Sequence, residues 1–173
     1  EQAADPDAKI MILCSPHNPV GRVWTKEELA RVGEICKKNN VLVIADEIHS
    51  DLVYAGYVHT PFALASDAPH LLCTSLGKTF NVAGLRRANI FSSSAELKKQ
   101  YDQEIDAYSY SASNTFGLEM VQAAYSPEGE AWLEELLVYL QGNVEVVSEW
   151  CQKHNVGFTA PQGTFLCWLD LGS

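Results

Sequence analysis

Two apolar runs separated by an amphipathic segment limit the possible folds of this chain most strongly. Residues 9–14 form a short apolar run, and residues 41–45 are continuously apolar and rich in β-branched side chains, which is typical of strands buried on both faces. Between them, Thr25 and Glu28 have the spacing of a capping box at a helix start. Strand, helix and strand in this order predict a βαβ unit, and therefore a parallel sheet.

The rest of the chain continues the alternation of strands and helices. Pro61 and Pro69 mark loops before the third strand. The same periodicity rules predict strands at 70–74, 88–91, 156–159 and 164–171, the last two joined by a turn at 161–163, helices at 95–108 and 114–125, and a long helix after a break at 126–129.

The composition restricts the partners and the compartment. The chain has 173 residues and a formal net charge of −10, which argues against nucleic acid or an anionic membrane as the main partner. Its cysteine count of 5 is odd, without paired spacing, which indicates reduced thiols and a cytoplasmic protein. No apolar run reaches membrane-spanning length. The acidic first residues do not resemble a signal peptide, and the missing initiator methionine indicates processing or excision from a longer chain.

Three polar residues each follow a predicted strand. Asn18 comes after the first strand, Asp46 ends the second, and Lys78 follows the strand at 70–74. Functional groups of open α/β sheets collect beyond the carboxyl ends of the strands. An amide, a carboxylate and an amine are therefore expected at one edge of the sheet.

The segments around these residues resemble a known family. Ser-Pro-His-Asn-Pro-Val-Gly at 15–21, Asp-Glu-Ile-His-Ser-Asp at 46–51 and Ser-Leu-Gly-Lys-Thr-Phe-Asn at 75–81 look like the three signatures of fold-type I pyridoxal-phosphate enzymes, the class I/II aminotransferases. The first two are most similar to the cystathionine β-lyase (C–S lyase) branch. Each motif is weak alone, but the three occur in order, each after a strand.

The resemblance implies a role for each site residue. Lys78 would form the Schiff base with the pyridoxal aldehyde and then move the substrate's α-proton, and partial burial beside a positive cofactor would help it to lose its own proton. Asp46 would keep the pyridine nitrogen protonated, so that the ring accepts electrons. The other residues would also bind pyridoxal 5'-phosphate. Asn18 would hydrogen-bond its phenolic oxygen, and Ile48 would pack against one face of its ring. Ser75 and Arg86 would bind its phosphate.

Two positions leave alternatives open. Many aminotransferases carry tyrosine where His49 stands, so His49 either bonds the phenolic oxygen or is a packed neutral side chain. The lyase branch does not always keep the phosphate arginine, so Arg87 is the alternative to Arg86.

Other interpretations of these residues are simpler but explain less. Gly77-Lys78-Thr79 looks like the end of a P-loop, but that motif needs glycine where Leu72 stands. Cys14 and His17 have the spacing of zinc ligands, but no second pair follows, so no metal site is predicted. Asn18 alone could be a turn former and Asp46 a helix cap, yet all three polar residues together fit a cofactor site better.

The resemblance also implies an architecture and a set of possible activities. We expect a three-layer α/β/α fold with a mainly parallel sheet, part of a large pyridoxal-phosphate domain over 1–128, and the start of a small α+β domain over 129–173. Family enzymes are more than twice this long and form homodimers, so the chain is interpreted as a fragment, with residues 110–115 near the neighbouring subunit. Three hypotheses remain: a C–S β-lyase that converts a small amino acid, an S-substituted cysteine, to a thiol, pyruvate and ammonia; an amino acid aminotransferase; and a folded but non-catalytic fragment.

Overall fold

A mainly parallel sheet forms the centre of the structure, a computed structural model that describes residues 2–110 and 114–172. Within those residues its strands lie in the order β1 (Ile10–Cys14), β2 (Leu42–Asp46), β3 (His70–Thr74) and β4 (Asn89–Ser92). β1, β2 and β3 are parallel, and β4 is antiparallel to β3. The predicted α/β class with a mainly parallel sheet is confirmed.

The helices match the predicted pattern where they are long. They are α1 (Lys26–Lys38), α2 (Phe62–Ala65), α3 (Leu76–Thr79), α4 (Ala95–Ala107), α5 (Thr115–Ala124) and α6 (Pro127–His154). The sequence patterns did not predict α2 or α3. Both are a single turn long, and one turn is too short to show helical periodicity.

Helix α1 covers one face of the sheet. Thr25 and Glu28 form the predicted capping box at its start, which satisfies backbone N–H groups that the first turn leaves unpaired. Its buried Leu29 and Cys36 pack with Leu13 and Val43 of the sheet in one hydrophobic cluster. On β1, by contrast, Ile12 points to the other face and is 71% exposed.

A second, two-stranded sheet follows the long helix α6. β5 (Gly157–Thr159) and β6 (Trp168–Asp170) are antiparallel. The two predicted strands do pair, but the predicted strand at 164–171 is too long, and the connection spans residues 160–167 instead of the predicted turn at 161–163. The backbone N–H of Thr164 bonds to Leu52 O at 2.7 Å, so this segment pairs with a distant loop instead of with β5.

A buried carboxylate, that of Glu47, holds the segment after β2. Glu47 is 2% exposed, and its carboxylate accepts from Phe62 N at 2.7 Å and lies 3.0 Å from His59 Nε2. This contact pins the loop that precedes α2 to the end of β2.

Two further predictions concern membranes and the subunit contact. Among the described helices, none combines the length and the apolar character needed to cross a bilayer. The segment 110–115, expected near a neighbouring subunit, includes residues 111–113, which lie outside the described residues.

Candidate functional site

The register of the parallel strands brings the predicted site residues to one edge of the sheet. Cys14 of β1 lies opposite Asp46 of β2, and Asp46 lies opposite Cys73 of β3. Asn18 lies in the turn after β1, which ends at Cys14, and Lys78 lies on α3, just after β3. The structure therefore places the amide, the carboxylate and the amine beyond the carboxyl ends of three adjacent strands, as expected for an open α/β sheet.

Asp46 lies in the middle of this edge, because it ends β2, the strand between β1 and β3. It is half-buried, and its Oδ1 accepts from Ile48 N at 3.3 Å. Side chains alternate along a strand, so Asp46 points away from the face that Ala45 contributes to the core. The carboxylate is thus presented on the face opposite α1.

Two thiols flank Asp46. Burial raises the pKa of both Cys14 and Cys73, and the neighbouring Asp46 carboxylate raises each further. The backbone N–H of Asn18 donates to Cys14 Sγ at 3.5 Å, which opposes the rise at Cys14 without cancelling it. Both thiols are therefore neutral near pH 7, and they add no negative charge beside Asp46 on the adjacent strands.

His49 is the buried histidine of this site. It is 1% exposed, and neither ring nitrogen has a hydrogen-bond partner among the described residues. Burial lowers the pKa of His49, the Lys78 ammonium lowers it further, and the Asp46 carboxylate opposes both. The ring is therefore neutral at pH 7, with one nitrogen able to donate and the other to accept.

Lys78 lies on a short helix that Ser75 caps. The Ser75 hydroxyl accepts from Gly77 N at 3.0 Å and donates to Arg87 O at 2.6 Å. Lys78 itself is exposed, so the partial burial expected from the sequence is not seen. The positive charge of Lys78 nevertheless lowers the pKa of His49, and the charge of Asp46 raises it. Lys78 on α3 and Asp46 therefore both lie near His49, in one site.

The two candidate phosphate arginines differ in burial. Arg86 adopts a left-handed backbone conformation with φ of 50° and is exposed. Arg87 is half-buried, and its backbone oxygen bonds to Ser75. Ile48 is also half-buried, beside Asp46.

The sequence interpretation assigned no role to a hydrogen bond behind Lys78. The buried hydroxyl of Thr79 donates to Asp51 Oδ2 at 2.9 Å. This bond joins α3 to the loop that carries His49. Both residues lie in the quoted motifs, but their contact spans 28 positions of sequence and left no local signal.

Together these groups suit a planar, partly anionic ligand. The edge presents a carboxylate, an amine, an amide and a neutral imidazole within one rim. The amine of Lys78 could condense with a carbonyl group of a ligand or accept a proton from it, while Asp46 could hold a protonated ring nitrogen.

Comparisons with known proteins agree with this arrangement. The chain matches the family described as Aminotransferase class I and II over residues 1–173. It is 35% identical to "Cystathionine beta-lyase PatB" of Bacillus subtilis over 175 residues, which cover 98% of this chain and 45% of that protein.

Two solved structures are similar in fold. The PLP-bound C–S lyase from Staphylococcus hominis has a TM-score of 0.86 and 38% identity, over 94% of this chain and 41% of that one. Cystalysin from Treponema denticola, whose structure contains pyridoxal 5'-phosphate, has a TM-score of 0.91 and 31% identity, over 98% and 44%. The chain thus spans less than half the length of these relatives.

Proposed function

Because the chain belongs to the class I and II aminotransferase family, we propose that the whole protein binds pyridoxal 5'-phosphate at this rim and acts as a C–S β-lyase. Its substrate would be an S-substituted cysteine, cleaved to a thiol, pyruvate and ammonia. The observation that carries the proposal is the placement of Asn18, Asp46 and Lys78 beyond three adjacent parallel strands. The lyase names of the similar proteins support this branch of the family.

The residues present fit this cofactor. The site contains buried polar atoms without a partner among the described residues, namely both ring nitrogens of His49. Buried polar groups in native proteins are normally bonded. A polar ligand at the rim would satisfy them, and a phenolic oxygen is a suitable partner for a neutral imidazole.

Each residue of the rim would hold one part of the cofactor. Asp46 would pair with the pyridine nitrogen, and Asn18 and His49 would bond the phenolic oxygen. Ile48 would cover one ring face. Ser75 and Arg86 would hold the phosphate, with arginine contributing charge-assisted hydrogen bonds, although the Ser75 hydroxyl already makes two contacts within the chain.

The chain's own groups would direct the proton transfers. When bound, the cofactor supplies an electron sink for negative charge at the substrate's Cα. Lys78 Nζ would take the proton from Cα and could return it elsewhere as a general acid. Asp46 would accept a hydrogen bond from the protonated ring nitrogen. The thiols of Cys14 and Cys73 on either side are neutral, so they add no second negative charge beside Asp46.

An aminotransferase is the second candidate, because the matching family includes that activity in its description. The same proton removal by Lys78 would serve both reactions. In a lyase the Cβ–S bond would then break and the thiolate would leave, taking up a proton, whereas an aminotransferase would keep that bond and return the proton to a different carbon. A third possibility, a folded but non-catalytic chain, applies to these 173 residues alone.

Two steady-state assays of the full-length protein separate these candidates. With cystathionine, we expect thiol and pyruvate without any added keto acid. A strict requirement for a keto acid would identify an aminotransferase instead. If neither reaction occurs while the protein is loaded with cofactor, the activity part of the proposal is wrong.

The cofactor assignment has its own test. With pyridoxal phosphate, we expect a visible absorbance band and, after borohydride reduction, a pyridoxyl group on the peptide that contains Lys78. Lys78→Ala should remove both, whereas Lys38→Ala, which changes a lysine at the end of α1, should keep both. A band that persists in Lys78→Ala would refute the assignment of Lys78.

The assembly and division of the protein complete the proposal. We propose a cytoplasmic homodimer, as in the family, with a large domain ending after residue 128 and a small domain from 129. The predicted boundary falls in the first turn of α6, and the free cysteines of the described residues suit a reducing compartment.

A further inference from the structure

The loop between β5 and β6 leaves its own sheet and binds to the edge of the main sheet. Within it, the backbone N–H groups of Gln162 and Gly163 both donate to Gly21 O, at 2.8 and 3.0 Å. On the other side, Tyr54 N donates to Gln162 O at 3.0 Å and Thr164 N donates to Leu52 O at 2.7 Å. The loop therefore bridges the turn after β1 and the segment after β2.

Side chains strengthen this bridge. Gln162 Oε1 accepts from Val23 N at 2.7 Å, and the Tyr54 hydroxyl donates to Thr164 O at 2.7 Å. Burial raises the pKa of Tyr54 to about 12, so the hydroxyl keeps the proton that it donates. Neither bond joins two charged groups, so added salt should not weaken them by screening.

Glycines allow the close approach of the loop. A Cβ on Gly163 would lie 2.6 Å from Leu52 O, and one on Gly21 would lie 2.5 Å from Pro161 Cβ. Gly21 also has φ of +76°, a conformation that side chains disfavour. No space for an added methyl group therefore remains at Gly21 or Gly163, where the loop packs against the rest of the protein. This close packing leaves the loop little freedom to move.

This fixed loop carries Phe165 to His49. The two rings pack edge to face, with centroids 5.4 Å apart and planes at 69°. Phe165 is 44% exposed, whereas His49 is 1% exposed. The phenyl ring therefore covers part of the buried imidazole.

We propose that the loop 160–167 is a fixed wall of the candidate site, and that Phe165 is a positioning residue that holds the His49 ring in place and keeps water from it. The inference rests on the proposed function, because the orientation of His49 matters to chemistry only if a ligand occupies the rim. The contact itself is a property of the chain and can be tested without cofactor.

The charges that face His49 define what Phe165 changes. Asp46 at the end of β2 favours the charged imidazolium, and Lys78 on α3 opposes it. The docked loop adds the Phe165 ring and no charge at this contact. Since burial is the largest cause of the lowered pKa of His49, removing the phenyl ring should admit water and raise that pKa.

The test is a nuclear magnetic resonance titration of ¹⁵N-labelled histidine rings in the full-length protein without cofactor, with His49→Gln to assign the signal. Phe165→Ala should raise the pKa of His49 by about half a unit. Phe165→Leu, which keeps an apolar cover, should shift it much less. Trp168→Ala, which removes a comparably exposed aromatic of β6, should leave it unchanged.

A second measurement needs no variant. The unaltered protein should show a nuclear Overhauser effect between the ring protons of Phe165 and His49, because their centroids are 5.4 Å apart. Absence of this effect would overturn the proposal even if Phe165→Ala folds poorly, and an unchanged pKa of His49 in a folded Phe165→Ala would overturn it as well.

A third readout separates this inference from the proposed function. In the protein loaded with pyridoxal phosphate, Phe165→Ala and His49→Gln should each move the midpoint of the pH-dependent visible band. If Phe165 acts through His49, adding Phe165→Ala to His49→Gln should cause little further change, and a full additional shift would contradict it. If no band forms at all, the proposed function fails while the titration still decides the contact.

Discussion

At the scale of residues, the candidate site depends on a few polar side chains whose neighbours control their charge. Asp46 lies between two thiols, Cys14 and Cys73, whose pKa values are raised by burial and by the Asp46 carboxylate. His49 is held neutral by burial and by Lys78. The imidazole is therefore a group whose proton uptake the fold penalises, which gives it a measurable pH signature.

Replacing His49 should change how stability depends on pH. The unfolded imidazole has a pKa of 6.5, and the folded one lies below it, so the unfolded chain binds more protons between the two values. The free energy of unfolding should fall as the pH drops below 6.5. In His49→Gln that part of the fall should disappear.

Urea unfolding at several pH values between about 5 and 7.5 measures this effect, since that range brackets the usual histidine pKa. The difference between the original protein and the variant is the informative quantity, because the other histidines contribute to both. Parallel curves for the two proteins would mean that His49 is not held neutral by the fold.

A second residue-level prediction concerns the bond behind Lys78. Thr79→Val removes the hydroxyl that donates to Asp51 while keeping the buried volume. The loss should cost about 1–2 kcal/mol of stability, because a half-buried carboxylate oxygen loses its donor. Thr79→Ser, which keeps the hydroxyl, should retain more of the stability in the same unfolding assay; an unchanged stability in Thr79→Val, or a larger loss in Thr79→Ser, would contradict the role of the hydroxyl.

At the scale of elements, each of the three parallel strands of the main sheet leads to one functional group, because a turn or a short helix follows it. Asp46 accepts from Ile48 N where β2 ends, and Ser75 caps α3 where β3 ends. These local bonds hold the backbone at the rim. Helix α1 supports them from the opposite face, since it packs on β1 and β2.

Helix α1 should be sensitive to its cap. The Thr25 hydroxyl accepts from Glu28 N, and the Glu28 carboxylate accepts from Thr25 N. Thr25→Ala should destabilise the protein by about 1 kcal/mol, because it exposes an unpaired N–H at the helix start. Thermal unfolding gives the readout, and Thr25→Ser is the matched control. A larger loss in Thr25→Ser than in Thr25→Ala would contradict the capping role.

At the scale of the whole molecule, the β5–β6 loop joins two sheets that are far apart in sequence. Its contacts with Gly21, Leu52 and Tyr54 carry a residue of the second sheet's loop into the site of the first. The candidate site is therefore built from segments that span most of the chain, and it should be disturbed by changes at the junction.

Gly163→Ala tests this junction. Its Cβ would meet the backbone oxygen of Leu52 at 2.6 Å, so the loop must move, and we expect a loss of about 1–3 kcal/mol. Gly142→Ala on α6 is the matched control, because nothing lies within 4 Å of its Cβ and alanine favours a helix interior.

Chemical denaturation of both variants, together with the histidine titration, gives the measurement. Gly163→Ala should also raise the pKa of His49, because a displaced loop takes Phe165 with it. An unaltered stability in Gly163→Ala would show that the two sheets are not tightly joined.

The sequence by itself determined the features that depend on local patterns. Apolar runs and a capping box were enough to predict β1, α1 and β2, and the parallel order of the strands followed because a helix connects them. From that order alone, Asn18, Asp46 and Lys78 could be expected at one edge, since parallel strands end on the same side.

Only the tertiary structure decided which distant groups meet. Nothing near Phe165 in the sequence indicates His49, and nothing near Thr164 indicates Leu52, because these contacts form when the second sheet's loop docks on the rim. The single-turn helix α3, the flanking of Asp46 by Cys14 and Cys73, and the isolation of the His49 nitrogens likewise depend on strand register and burial. Local periodicity carries no information about either, since both are properties of the packed chain.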